Sequence, residues 1–71
     1  MIRVQLDEAQ RAELQSLRRS PLPPRSRERL EAVLLADAGW SAPRIAVHVG
    51  RDPQTVRALL RDFAARGAAA L

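Results

Sequence analysis

Gln54, Arg57, Ala58 and Arg61 recur at helical spacing near the C-terminus of the chain. Setting Val56 at zero and turning about 100° per residue places Arg57, Arg61, Gln54 and Ala58 at roughly 100°, 140°, 160° and 200°. One face of a helix would thus carry two guanidiniums, an amide and a methyl. These groups match base edges in a DNA major groove. Arginine pairs with guanine O6 and N7, glutamine with adenine N6 and N7, and alanine can touch the thymine methyl. Two arginines on an exposed helix are, taken alone, an ordinary solvated surface, so the reading depends on what positions them.

The positioning elements are punctuated on both sides. Ser41 is a good N-cap, Pro43 follows where its missing N–H costs nothing, and Ala42, Ile45, Ala46 and Val49 form an apolar face over barely two turns. Gly50 ends that helix. Asp52 caps the next, Pro53 opens it, Val56, Leu59, Leu60 and Phe63 form its apolar face, and Gly67 stops it. Two helices joined by Gly50, Arg51 and Asp52 make a helix-turn-helix. The first is too short to stand alone and must cross the second, with Ala46 as the small residue at the crossing. The helix over 53–66 is the one expected to enter the groove. Ser41, Arg44, Arg51 and Thr55 flank it and are expected to meet phosphates, which set register without specifying sequence.

Upstream, Ser20-Pro21-Leu22-Pro23-Pro24 cannot be helical. It separates an N-terminal arm with its proline-rich connector (1–22) from a helix-turn-helix unit (23–71). In the arm, Ile2, Val4 and Leu6 alternate with Arg3 and Gln5 as in a short strand. Asp7 and Gln10 read as a capping box opening a helix over roughly 8–19, whose apolar face is only Leu14 and Leu17. A further helix is expected from about Pro24 to Ala38, with Leu30, Val33 and Leu34 as its buried stripe, Leu35 off it and Gly39 as its stop. The thin helix, the unpaired strand and Leu35 together point to a homodimer formed through residues 1–19. Asp37 sits close to this helix's C-terminus, where the dipole disfavours it, and the sequence shows no partner for it.

Composition narrows the classes. The chain has 71 residues and a formal charge of +4, with no cysteine and one histidine. A thiolate metal site and a disulfide framework are ruled out, and one imidazole cannot supply a catalytic zinc. No apolar run approaches the roughly 20 residues of a membrane span. All 12 basic residues are arginine, which suits phosphate contacts but also reflects codon bias. The excess concentrates where Arg18, Arg19, Arg25, Arg27 and Arg29 stand against Glu28 alone. The carboxylates are scattered among helix starts and solvent faces, His48 falls on a helix rim, and Trp40 reads as a plug at the core edge. The glycines sit singly at turns, so no loop cradles a phosphate. The expectation is a cytoplasmic chain that is not an enzyme and needs no cofactor, metal, membrane or small-molecule substrate.

The run Gly39-Trp40-Ser41, Ile45-Ala46, Val49-Gly50 and Thr55-Val56-Arg57, with Phe63 and Gly67, resembles the N-terminal DNA-binding domain of mariner-type bacterial insertion-sequence transposases. Arg27–Gly39 and Gly67–Leu71 are similar too. Arg51 and Pro53 depart from the apolar and polar residues usual there. The resemblance implies an all-α, homeodomain-like helix-turn-helix of about four helices that binds terminal inverted repeats, here without the family's metal-dependent catalytic domain. A free-standing transcriptional regulator, binding an operator as a homodimer, uses the same features. A purely protein-binding helical module is the third possibility, since small three-helix folds also serve as adapters.

Overall fold

Each helix of the computed structural model, which describes residues 4–71, starts at a residue suited to that role. In chain order they are α1 (Glu8–Arg18), α2 (Pro24–Asp37), α3 (Ala42–Val49) and α4 (Pro53–Arg66), closed by a 3₁₀ turn over Gly67–Ala70. The all-α expectation holds. No helix among the described residues is long and apolar enough to cross a membrane.

The capping box of α1 forms as expected. Asp7 Oδ1 accepts the Gln10 N–H at 2.7 Å, and the Asp7 N–H donates to Gln10 Oε1 at 3.1 Å. One residue of α1 is fully committed: Leu14 is 1% exposed. Leu14, with half-buried Leu17 beside it, docks the helix on α2.

The expected strand is not formed. Ile2 and Arg3 lie outside the described residues, and residues 4–7 form no strand, though Asp7 is extended. Alternation instead turns Val4 and Leu6 to one side, where both are buried alongside Phe63, Ala64 and Gly67. The Leu6 backbone finds side chains rather than a second strand. Its N–H donates to Asp37 Oδ1 at 2.9 Å, and its carbonyl accepts from Arg11 Nη2 at 3.1 Å. Of the groups that argued for self-association, Val4, Leu6 and Leu14 are therefore buried within one chain, and Leu17 and Leu35 are partly buried. Asp37 acquires its role in the same contact, since Arg11 Nε also donates to Asp37 Oδ2 at 2.9 Å.

Between α1 and α2 the prolines hold the chain extended, and Arg27 clamps the bend by donating to the Arg18 and Ser20 carbonyls. Pro23 leaves α2 without a side-chain cap. Leu30, Ala32 and Val33 are its buried residues: Leu34, expected on the buried stripe, is only half-buried, and Ala32 takes its place on the buried side. The core joins these to Ile45 and Ala46 of α3 and to Val56, Leu59, Leu60 and Phe63 of α4. The closing 3₁₀ turn, which the sequence did not foreshadow, buries Ala70 and is tied back when Arg29 Nη1 donates to the Ala70 carbonyl at 2.6 Å.

Candidate nucleic-acid interface

The unit α3–turn–α4 is fixed by its caps. Ser41 Oγ accepts the Arg44 N–H at 3.3 Å. Gly50 takes φ +74°, and its N–H and that of Arg51 both return to the Ala46 carbonyl. Asp52 then accepts the Thr55 N–H and the Thr55 hydroxyl, each at 2.9 Å. The two hydrogen bonds from Thr55, that from its N–H first, hold the Asp52 carboxyl below the usual carboxylate range. A charged Asp52 at this N-terminus also meets the positive end of the α4 dipole. With Val56, Leu59, Leu60 and Phe63 buried, the rotation of α4 about its axis is set.

That rotation turns Gln54, Ala58 and Arg61 into solvent, with Arg57 half-exposed beside them. Arg57 Nη1 donates to Gln54 Oε1 at 3.4 Å. Among the described residues, Arg57 and Arg61 form no ion pair with a carboxylate.

The flanking residues stand differently. Arg44 lies over the Trp40 ring, its guanidinium carbon 3.9 Å from the ring centroid. His48 meets the same ring edge-on at 5.6 Å. Trp40 is half-buried against the core, as a plug at its edge should be, and it also serves as a platform that holds one arginine in place. Spacing could have revealed this, since Trp40 and Arg44 are four residues apart across the Ser41 cap.

Arg51 is engaged within the chain: Nε donates to Glu28 Oε1 at 2.7 Å and Nη2 to Glu28 Oε2 at 3.3 Å. The side-chain hydrogen bond to Glu28, with its charge, raises the Arg51 pKa above the ordinary value. Nη1 takes no part in that pair. No sequence signal links residues 28 and 51. They meet because α2 packs beside the turn, at the rim of an open cleft of about 660 Å³ also lined by Arg25, Thr55 and Ala58.

Six of the eight carboxylates are occupied structurally, Asp7 and Asp52 as helix caps and four in ion pairs. Asp37 pairs with Arg11, Glu31 with Arg18, Glu28 with Arg51, and Asp62 with both Arg66 and Arg29. Among the described residues no three His, Cys, Asp or Glu side chains gather where a metal could sit.

A family model for the homeodomain-like domain matches residues 23–71. The chain belongs to that homeodomain-like family. Comparison with curated proteins and with solved structures returns no significant match. In a homeodomain-like domain three helices form a helix-turn-helix, whose last helix lies in the major groove when the domain is on DNA. The fold is typically a DNA-binding one rather than a catalytic one. Here α2, α3 and α4 are those three helices, all within the matched span.

Proposed function

We propose that this chain binds double-stranded DNA in a sequence-specific manner, with α4 in the major groove. The observation that carries the reading is the division of α4. Its buried side is anchored across α3 and α2, and its outward side presents Gln54, Arg57, Ala58 and Arg61 together. These four read base edges. Ser41, Arg44, Arg51 and Thr55 lie around the start of α3 and the turn, where phosphates flank an inserted helix, and they fix its register. Arg44 comes pre-oriented on Trp40, whereas Arg51 shares its charge with Glu28 and has Nε and one N–H of Nη2 already engaged.

The target class we infer is a terminal inverted repeat. The likeness of Gly39–Gly67 to the end-binding domain of mariner-type insertion-sequence transposases supports it. Such a chain acts in the cytoplasm, on the nucleoid. Residues 1–22 are proposed as a separate segment in sequence that is folded onto the unit 23–71.

Selection from random duplexes, followed by titration of the enriched site and a scrambled duplex at several salt concentrations, tests the reading. An enriched site bound at least tenfold tighter than the scrambled duplex is expected. Equal affinity for the two would overturn it.

A further inference from the structure

Most groups on the outward side of α4 can only donate hydrogen bonds. Arg57 and Arg61 have no acceptor, since a guanidinium carries five N–H donors and nothing else. The acceptors nearby each already take a hydrogen bond within the chain. Gln54 Oε1 takes the Arg57 Nη1 hydrogen at 3.4 Å, and the amide is oriented by it, since the reverse orientation would set donor against donor. The two Asp52 oxygens take the N–H and hydroxyl of Thr55. The two Asp62 oxygens take Arg66, and one of them also takes Arg29. What the face presents most toward the groove is the Gln54 Nε2 amino group, the free N–H groups of Arg57 and Arg61, and the Ala58 methyl at its edge.

We propose that Gln54 and Arg57 act as one unit that reads guanine, so that Gln54 does not take the adenine its residue type alone would suggest. The inference rests on the proposed placement of α4 in the major groove. Adenine recognition by glutamine needs the amide oxygen to accept the N6 amino group while the amide nitrogen donates to N7. With one lone pair of its oxygen given to Arg57, Gln54 forms with Arg57 a pair that has a surplus of donors, and an adenine amino group would meet the Arg57 N–H groups beside the one lone pair left. Guanine presents two acceptors, N7 and O6, and no donor in the major groove. Three residues of helix advance about 4.5 Å along the axis, close to one base step, so the unit spans two neighbouring base pairs. Arg57 takes the bidentate guanine contact, and Gln54 Nε2 donates to the acceptor edge of the adjoining base, guanine or thymine.

The test uses the whole chain and the duplex it enriches. Guanine is expected at the Arg57 position, with guanine or thymine beside it on the same strand. Replacing that first guanine by 7-deazaguanine, which lacks only the N7 acceptor, should weaken binding roughly 5- to 150-fold, whereas the same replacement outside the site should change nothing. Gln54→Ala should relax preference at the adjoining base and leave the guanine preference of Arg57 in place. Both residues reach solvent, so circular dichroism should show the variant folded. Adenine enriched opposite Gln54, with the preference lost in Gln54→Ala, would overturn the inference and leave the major-groove reading standing. A chain that enriches no sequence would overturn both.

Discussion

The Asp37 carboxylate accepts the Leu6 N–H at 2.9 Å across 31 positions of sequence. It thereby fastens the start of the chain to the end of α2, and Arg11 closes the contact by bonding to both partners. Asp37 contributes this only while ionised. The hydrogen bond from Arg11, then that from the Leu6 N–H, holds its carboxyl below the usual carboxylate range.

A carboxyl depressed by folding stabilises the fold above its unfolded pKa of about 3.9, and the stabilisation is lost as pH falls through the lower folded value. The melting temperature of the chain should therefore drop as pH is taken downward from about 4. Asp37→Ala should melt lower at neutral pH, by the equivalent of about 1–3 kcal/mol for a Leu6 N–H left without its partner. Its curve should also be flatter in the acid window, where Asp52 and Asp62 still titrate. Thermal melts by circular dichroism from about pH 2 to 7 check this. Equal steepness in both proteins would contradict it.

The crossing of α3 on α4 depends on a side chain with no room to grow. Ala46 is 2% exposed and lies on the packed face of α3. Ala46→Leu should destabilise by roughly 1–3 kcal/mol through overpacking, a large fraction of what so small a domain holds. Melting temperature and DNA affinity should fall together. An unchanged melt would show that the crossing tolerates a larger side chain.

Gly50 occupies the left-handed region at φ +74°, and an added Cβ would meet nothing within 4 Å. Gly50→Ala should therefore cost only the backbone penalty, about 1–2 kcal/mol, without a steric clash. Chemical denaturation measures it. A loss well beyond that range would mean that the turn had rearranged.

Glu28 restrains Arg51, the cation proposed to meet a DNA phosphate. Glu28→Gln should free the Arg51 guanidinium, tighten binding to all duplexes alike, and steepen the log–log salt dependence by up to roughly 0.9. Arg44→Ala should lower the magnitude of that slope by about the same amount while keeping the ratio of specific to scrambled affinity. Arg57→Ala should instead lose that ratio. Titrations over several salt concentrations separate the three, and an Arg57→Ala variant with full discrimination would remove α4 as the reader.

The features legible in the sequence were those decided within a few residues. Asp7 with Gln10, Ser41, Gly50, Asp52 and Gly67 mark helix ends through contacts three or four positions away, and the helices α3 and α4 begin and end where those residues place them. The outward turn of Gln54 and Arg61 followed from the apolar spacing of α4. What stayed hidden depends on elements meeting in space: Asp37 with Leu6, Glu28 with Arg51, and Arg29 with the Ala70 carbonyl 41 positions on. The alternation of Val4 and Leu6 was a true signal of one-sided burial. It suggested a strand because an extended segment against helices shows the same period.

The chain has a single tryptophan, and Arg44 rests on its face. An indole so covered is an optical gauge of one contact. If a phosphate draws the guanidinium off the ring, emission from Trp40 should change in step with binding. That signal would follow the edge of the interface without a label, and in Arg44→Ala it should fall silent even where the DNA is still held.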